Sequence, residues 1–363
     1  MPKLSGNKGE WSEIYVFLRL LEMGRLYAAD KNLNKIDTVF YDVLKIIRNE
    51  TSLKLEFVYD KKKKTVSVIN NSTNNVILFL KAKVFKAEAD KLYNVIISTK
   101  GSSFNVDDTE GFLKNIGVKT LKAKSDDKSD IRIKIHDIKT GFETVQGFSI
   151  KSRLGSPSTL INAGKTTNFI YEVVGDINDA TANEFNTCSK KFKERFDVLK
   201  NNDCNLLYCD MENEIFKDNL ILIDGDLPKI TAELLKMYYA ENYTTVVSAI
   251  DKLTEDNPIG YNINNKHPFY SYKFKALLKE VALGMVPSKV WNGKADATGG
   301  YIVVREDGEV LCYHLFNMNE FENYLLDNTR FETASTSRHG FGNIYKENEK
   351  YYIKLNLQIR FIK

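Results

Sequence analysis

Apolar residues near the N-terminus recur at the spacing of an amphipathic helix. Within residues 10–27, Trp11, Ile14, Tyr15 and Leu18 lie three or four positions apart and follow a polar, glycine-containing segment. A stripe with this spacing buries one face of a helix against a core. The pattern therefore predicts a first helix over residues 10–27.

Other segments alternate apolar and polar residues, as half-buried strands do. Residues 53–59 and 65–69 flank the tetralysine run at 61–64, which predicts a hairpin with a charged, solvated tip. Residues 130–137 and 143–152 flank a Lys-Thr-Gly turn and predict a second hairpin. Four strands in two hairpins are therefore expected in the first half of the chain.

The rest of the chain interleaves further helices and strands. The remaining predicted segments are a strand at 76–80, a short helix at 105–116, a helical turn at 158–164, a strand at 167–174, mostly helices over 180–255, a hairpin from 299 around Asp307-Gly308, a helix at 319–327 and a final strand pair around 347–349. Residues 84–97 fit either a helix or a strand. The fold class is therefore α/β, with a mixed central β-sheet flanked by helices.

The element order suggests three regions. Residues 1–178 contain the hairpin at 130–152, residues 179–290 are mainly helical, and residues 291–363 form a C-terminal α/β region. The same order is compatible with one continuous domain.

Composition excludes several classes of protein. The chain has 363 residues, 43% of them hydrophobic, which suffices for a sizeable core. No run approaches the roughly 18 apolar residues of a membrane span, and no signal peptide is recognisable, so we expect a cytoplasmic protein without a membrane partner. Its four cysteines show no CxxC spacing, so neither a disulfide framework nor a zinc site is expected.

The net charge of +4 comes from 52 basic and 48 acidic residues. This balance is too even to indicate a nucleic-acid-binding protein by itself. It does allow positive charge to gather in one cleft while acidic residues elsewhere bind a metal ion.

The second predicted hairpin carries charged residues at its two open ends. Asp130 begins one strand and Lys151 lies near the end of the other, so the turn can bring both side chains to one edge of a sheet. Ile150, between Ser149 and Lys151, points to the opposite face. A carboxylate and a lysine so placed suit metal-dependent phosphodiester hydrolysis, whereas spacing alone also fits a hairpin with solvated ends.

A strand, a turn and a strand that ends in Ser149-Ile150-Lys151 resemble the PD-(D/E)xK nuclease core. That signature is an Asp followed, after a variable gap, by an acid, any residue and Lys. The match places Asp130 and Lys151 in the signature, while Ser149 stands where the family has an acid. A serine hydroxyl is a poorer ligand for a hard cation, so another acid, water or a substrate phosphate is expected to compensate.

Three longer stretches are similar to the HpaII restriction endonuclease family: NKGEWSEIYVFLRLL from Asn7, GFSIKSRLGSPSTLINAGKTTNFIYEV from Gly147, and NTRFETASTSRHGFG from Asn328 followed by YYIKLNLQIRF. The resemblance implies a type II restriction endonuclease that hydrolyses double-stranded DNA at a short, GC-rich palindrome such as CCGG. It further implies Mg²⁺ as cofactor, a homodimer on the palindrome, and a cognate DNA methyltransferase as a genetic rather than physical partner.

The resemblance also implies that the first helix offers a glutamate to the metal site. Glu10 and Glu13 lie on one helical face, and the choice between them stays open. The implied catalytic set is therefore Asp130, Ser149 and Lys151 with one of these glutamates, and the implied metal ligands are Asp130 and Glu13.

Polar residues suited to DNA contacts follow the catalytic strand and fill a C-terminal loop. Arginine can donate two hydrogen bonds to a guanine edge, while hydroxyl and lysine side chains contact phosphates. The candidates are Arg330, Ser335, Thr336, Ser337, Arg338 and His339 in the loop, then Asn162, Lys165, Thr166 and Asn168, and finally Lys294 and Asp296. For Asp296, a role in shaping a turn is the alternative to accepting from a cytosine amino group.

Two other classes of function remain open. One is a sequence-specific DNA-binding protein without cleavage activity, which Ser149 in place of an acid makes conceivable. The other is a metal-independent RNA-processing or interaction protein, although the sequence shows no aromatic RNA-stacking signature.

Overall fold

The computed structural model describes residues 3–51, 53–123, 129–188 and 191–362. Within them the helices are α1 (Lys8–Met23), α2 (Ala82–Ser98), α3 (Asp107–Asn115), α4 (Asp179–Thr187), α5 (Phe192–Asn201), α6 (Glu214–Ile223), α7 (Leu227–Lys236), α8 (Val246–Asp256), α9 (Phe269–Ala282), α10 (Met318–Asp327) and α11 (Thr336–His339).

The strands of the described residues are, in chain order, β1 (Ser5–Gly6), β2 (Arg25–Ala29), β3 (Lys35–Asn49), β4 (Lys54–Asp60), β5 (Thr65–Asn70), β6 (Asn75–Lys81), β7 (Phe104–Asn105), β8 (Ile131–Asp137), β9 (Glu143–Ser152), β10 (Thr159–Ile161), β11 (Asn168–Val174), β12 (Asn205–Met211), β13 (Gly300–Val304), β14 (Val310–His314), β15 (Thr329–Phe331), β16 (Ile344–Glu347), β17 (Lys350–Asn356) and β18 (Ile359–Phe361). The predicted mixed α/β class is confirmed.

The chain divides into two compact units. The first unit comprises the chain up to Ser158 together with Ala295–Tyr324. The second unit comprises Thr159–Lys294 and Leu325–Ile362. The chain thus leaves the first unit after Ser158 and returns to it at Ala295.

The first unit is built on one large sheet whose strand order is β2-β14-β13-β9-β8-β3-β4-β5-β6. Because β2 also pairs with β3, the six strands from β2 to β3 close into a ring. Two pairs in this ring are parallel, β13 with β9 and β14 with β2, and the other pairs are antiparallel. The sequence predicted a mixed sheet but not this closure.

Helix α1 packs its apolar stripe into the core of the first unit. Trp11, Ile14 and Leu18 are fully buried in the same cluster as Ile133 of β8 and Phe148 of β9. Burying apolar side chains of this size contributes roughly 1.5–3 kcal/mol each. The helix therefore lies directly beside the hairpin formed by β8 and β9.

The first helix ends earlier than residue 27 because of a glycine. Gly24 follows Met23 with a φ of 63°, in the left-handed region, and caps the helix with a hydrogen bond from its N–H to the Leu20 carbonyl. A Cβ at Gly24 would stand 2.2 Å from Cε1 of Tyr59. Glycine is thus required there, and the chain continues as strand β2.

The second unit holds two antiparallel sheets. A four-stranded sheet has the order β12-β11-β17-β16, and a three-stranded sheet has the order β10-β18-β15. Tyr171 on β11 is fully buried and donates a hydrogen bond to the carbonyl of Ala232 in α7, which ties the larger sheet to the helical part of the unit.

Several local predictions need correction. Residues 158–164 do not begin as a helical turn, because Thr159–Ile161 forms strand β10 and pairs with β18. Strand β12 interrupts the region 180–255, which was expected to be mostly helical. Strand β3 had no counterpart among the predictions, while residues 84–97 belong to helix α2. Tertiary pairing outweighs local propensity in such short segments.

The predicted hairpins are confirmed. Strand β4 pairs with β5 across the lysine-rich turn, and β8 pairs with β9, both antiparallel. Among the helices of the described residues, none has the length and apolarity needed to span a membrane.

Candidate active site

The β8–β9 hairpin brings Asp130 next to the strand that carries Lys151. The Asp130 N–H donates to the Phe148 carbonyl at 2.9 Å, and the Ile150 N–H donates to Oδ2 of Asp130 at 2.7 Å. The Asp130 carboxylate is therefore fixed against the backbone between Ser149 and Lys151. The two ends of the predicted hairpin meet, as the sequence suggested.

Strand β13 supports the same segment of β9 from its other side. It pairs with β9 in parallel, so Tyr301 lies beside Ser149 and Val303 beside Lys151. The Lys151 Nζ stands 5.3 Å from the centroid of the Tyr301 ring, a cation–π contact. This arrangement places Lys151 on a strand that is paired on both sides.

Helix α1 brings Glu13 to this site. The hydroxyls of Ser12 and Ser152 are hydrogen-bonded at 2.8 Å, which ties the first turns of α1 to the end of β9. Glu13 follows Ser12, and Glu13 and Lys151 both line one cavity of about 960 Å³. Ser152 is thus a positioning residue that the sequence did not single out.

Burial shifts the pKa of Glu13, Asp130 and Lys151, and charged neighbours add to or oppose each shift. Burial and the charge of Asp130 raise the pKa of Glu13 to about 8. Burial also raises the pKa of Asp130, although the Ile150 N–H and Lys151 oppose that shift. Burial lowers the pKa of Lys151 against the opposing effect of Asp130 and Glu13. Shifted groups beside one cavity, which Glu13 and Lys151 line, are a physical indication of a functional site.

The two candidate glutamates have different surroundings. Oε2 of Glu10 accepts from the Asn7 N–H at 2.9 Å, and the Asn7 side chain accepts from the Glu10 N–H, which makes a capping box at the start of α1. Oε1 of Glu10 lies 3.8 Å from Nζ of Lys122. Glu13 lines the cavity together with Lys151, whereas the Glu10 carboxylate caps its own helix.

A buried ion pair supports the segment next to this cluster. Arg48 and Glu50 have side chains that are 6% and 0% exposed, and their Nε and Oε1 atoms are 2.7 Å apart. Arg48 donates to the carbonyls of Thr120 and Leu121, while Glu50 accepts from the Lys119 N–H at 3.1 Å. The pair therefore holds residues 119–121 in place.

Lys122 comes directly after that held segment. Its positive charge lowers the pKa of Glu13 and of Asp130, so it lies within electrostatic reach of both carboxylates. Neither Lys122 nor the Arg48–Glu50 pair was singled out from the sequence. Their proximity depends on chain folding across about 70 residues, and no local spacing signals it.

The donor set near Lys151 fits a hard divalent cation. Glu13 and Asp130 offer carboxylate oxygens, the ligands that Mg²⁺ prefers. A cation bound by them would offset the burial and the Asp130 charge that together raise the pKa of Glu13. Within the described ranges, no group of three or more His, Cys, Asp or Glu side chains is arranged around one point. The protein would thus supply two carboxylates, and water or substrate oxygens would complete the coordination.

The candidate DNA contacts of the C-terminal loop lie in the second unit. Ser335 caps the short helix α11, and its hydroxyl accepts from the Arg338 N–H at 3.4 Å. The Arg338 side chain is exposed. Thr336 and Ser337 line a cavity of about 450 Å³. Arg330 lies before this loop on β15, where its Nη2 is 3.3 Å from Oε1 of Glu332.

The loop after β10 lies beside α11. Asn162 and Lys165 are exposed and Thr166 is half-buried. A Cβ at Gly340 would be 3.9 Å from Cε of Lys165, so the two loops are neighbours. The structure therefore brings two of the predicted sets together.

Asn168 connects these loops from inside the second unit. It is fully buried, and its Nδ2 donates to the His339 carbonyl at 3.0 Å and to Glu212 at 2.6 Å. The Asn168 side chain thus positions the backbone that follows Arg338.

Lys294 and Asp296 lie on different units. Lys294 is exposed near the end of the first segment of the second unit, and its carbonyl accepts from the Trp291 indole N–H at 3.1 Å. Asp296 is half-buried in the first unit.

Comparison with known proteins gives two matches along nearly the whole chain. Residues 7–361 match the family model described as HpaII restriction endonuclease. The chain is 41% identical over 365 residues to the type II restriction enzyme HpaII of Haemophilus parainfluenzae, and the match covers 99% of each chain. No solved structure gives a significant match.

Proposed function

Since the chain belongs to the HpaII restriction endonuclease family and is a site-specific deoxyribonuclease, we propose that it cleaves double-stranded DNA in a Mg²⁺-dependent reaction at a short GC-rich palindrome such as CCGG. The name of its relative is that of a type II restriction enzyme. The geometry of the first unit supplies the residues for the chemistry.

The observation that carries this proposal is the convergence of Glu13, Asp130 and Lys151. Asp130 accepts from the Ile150 N–H next to Lys151, and Glu13 and Lys151 line one cavity. Helix α1 contributes Glu13, strand β9 contributes Lys151, and Asp130 directly precedes strand β8. A PD-(D/E)xK-type site needs such a set of carboxylates and a lysine, and Ser149 takes the position of the second acid. Glu13 from α1 then compensates for the carboxylate that Ser149 lacks.

Each residue has a distinct task in this proposal. Asp130 and Glu13 would hold the cation, which would supply Lewis-acid stabilisation of the phosphate and activation of a water. Lys151 holds the attacking water in line and offers positive charge near the phosphate oxygens, where negative charge develops. Its partly buried position and lowered pKa also suit it to exchange a proton with that water.

The second unit supplies sequence recognition in this proposal. Arg338 is exposed beside the hydroxyls of Ser335, Thr336 and Ser337, and Lys165 approaches the same loop. An arginine fork fits the two acceptors of a guanine edge, and the lysine and hydroxyls fit phosphates. A GC-rich site therefore matches this chemistry.

Digestion of phage DNA with mapping of the cut ends tests the function. We expect discrete fragments with Mg²⁺, ends that map within one short palindrome, and no cutting with EDTA. Tight sequence-specific binding without cutting under any divalent cation would instead favour a DNA-binding protein without cleavage activity. Cutting that persists after exhaustive chelation would contradict the metal-dependent chemistry.

A further inference from the structure

A cavity of about 960 Å³ continues from the candidate active site into the first unit. Glu13 and Lys151 form part of its wall. The rest of the wall comes from the first turn of α1, from residues 97–102 around the end of α2, and from residues 150–158 around the end of β9. All three segments belong to the same compact unit.

The lining of this cavity suits a polyanion. Three lysines line it, Lys8, Lys100 and Lys151, against one carboxylate among the described lining residues, that of Glu13. Hydroxyl groups from five Ser and Thr residues also line it, and hydroxyls are frequent phosphate ligands. The whole chain has 52 basic and 48 acidic residues, so the cavity is far more basic than the molecule.

The Lys8 ammonium is held at the wall of the cavity. The Lys8 side chain lies along Gly155, where an added Cβ would stand 3.3 Å from Cβ and 3.4 Å from Cδ of the lysine. Its Nζ donates to the Leu154 carbonyl at 3.5 Å. Lys100, on the segment that follows α2, is exposed. Two positive groups besides Lys151 thus face one cavity from different segments.

We propose that this cavity binds the sugar–phosphate backbone of the strand that is cut, and that Lys8 and Lys100 contact phosphates next to the scissile one. The inference rests on the proposed nuclease function and adds to it the path of the backbone and two residues. A lysine that contacts a phosphate acts as a point charge, and such a contact reads no base. Lys8 and Lys100 therefore contribute affinity for any duplex, while discrimination between sequences lies elsewhere.

Salt dependence of binding tests the proposal. Lys8→Ala and Lys100→Ala are compared with Lys83→Ala, an exposed lysine in the first turn of α2 that lies outside the cavity lining. Affinity for cognate and scrambled duplexes is measured in EDTA at several salt concentrations. We expect each cavity substitution to lower the slope of log K against log salt by about 0.9, and to weaken both duplexes about tenfold near 0.1 M salt. Lys83→Ala should match the wild type.

Neutral DNA linkages identify the contacted phosphates. Duplexes carry a single methylphosphonate at successive positions of the cut strand. At one position near the scissile phosphate, we expect the neutral linkage to weaken binding by the wild type but not to weaken binding by Lys100→Ala any further. We expect a second position with the same behaviour for Lys8→Ala. Lys100→Arg should restore the wild-type slope, and thermal unfolding confirms that each variant is folded.

Three results would overturn the inference: unchanged slopes in both folded cavity variants, a loss confined to the cognate duplex, or additive effects at every methylphosphonate position. Cleavage of the same duplex by the wild type with Mg²⁺ distinguishes a failure of the backbone path from a failure of the proposed nuclease function. If the wild type cuts while the cavity variants bind like it, the backbone path alone fails. If the wild type does not cut any duplex, the proposed function fails and the inference fails with it.

Discussion

At the residue scale, the roles proposed for Asp130 and Lys151 concern the scissile phosphate and not base edges. We expect Asp130→Ala and Lys151→Ala each to abolish cleavage while specific DNA binding stays largely intact. Plasmid cleavage with Mg²⁺ and gel-shift assays with a cognate duplex measure the two properties separately. Cutting at the wild-type rate by either variant would rule out the proposed catalytic hairpin.

Glu13 should make the stability of the metal-free protein depend on pH. Its pKa is about 8 in the folded chain and 4.5 ordinarily, so between these values the folded state keeps a proton that the unfolded state loses. The contribution of protonated Glu13 to the unfolding free energy is complete below pH 4.5 and is lost as the pH rises through 8. We therefore expect Glu13→Gln to lose less unfolding free energy than the wild type between pH 5 and 9, which denaturant titrations measure.

Glu22→Gln, on the same helix, is the matched control, because Glu22 pairs with Arg19 at 2.9 Å and not with the active-site cluster. Its pH profile shows whether a changed slope is specific to Glu13. If Glu13→Gln and the wild type have parallel profiles, Glu13 does not carry the proton that the structure assigns to it.

Arg338 should discriminate between DNA sequences. We expect Arg338→Ala to lose roughly 1–3 kcal/mol of binding free energy on the cognate duplex and little on a scrambled one, because a guanine edge is left without its donors. Arg338→Lys keeps the charge but not the fork, so it should lose most of the same discrimination. Equal losses on both duplexes, with a lower salt slope, would make Arg338 a phosphate contact instead.

At the element scale, the Arg48–Glu50 pair joins β3 to the segment before β8. We expect Arg48→Met to cost about 3–5 kcal/mol of unfolding free energy, because it leaves the fully buried Glu50 carboxylate without its cation. The double variant Arg48→Met, Glu50→Leu should recover a large part of that loss. Chemical denaturation of the two variants measures both values, and a double variant no more stable than Arg48→Met would contradict the desolvation argument.

The sequence predicted those elements whose pattern is local. The β8–β9 hairpin alternates with period two around a turn, and α1 carries a continuous apolar stripe, so both elements were predictable. Asp130, Lys151 and the pair Glu10 and Glu13 could therefore be named as candidate site residues. The ring closure was not, because β2 and β14 pair across more than 280 residues and each is only five residues long. Pairing at such separation leaves no local periodicity to find.

The same reason explains the missed parts of the site. The pairing of β3 with β8 and the segment at 119–121 bring Lys122 and the Arg48–Glu50 pair near Glu13, Asp130 and Lys151. Ser152 was visible in the sequence, but its bond to Ser12 depends on how α1 packs beside β9. The positions of these side chains depend on long-range packing, which residue type alone does not reveal.

At the scale of the whole molecule, the palindromic target proposed above presents two equivalent strands for cleavage. One chain supplies one cluster of Glu13, Asp130 and Lys151, and a twofold dimer matches the symmetry of the DNA. We expect two chains per cognate duplex in sedimentation velocity measurements with EDTA, and cleavage of both strands in one binding event. A complex with one chain, together with accumulation of nicked plasmid, would show that the strands are cut one after the other.

The six-stranded ring of the first unit joins parts of the chain that the ribosome makes far apart in time. Strand β2 begins at Arg25 and its partner β14 begins at Val310. At about 5–20 residues per second, translation needs roughly 15 to 60 seconds between them. During this interval β9, which carries Lys151, has no β13 beside it. A nascent chain therefore cannot complete the sheet around Lys151 until β13 has been made, which delays the moment at which a new molecule could act on the DNA of the cell that makes it.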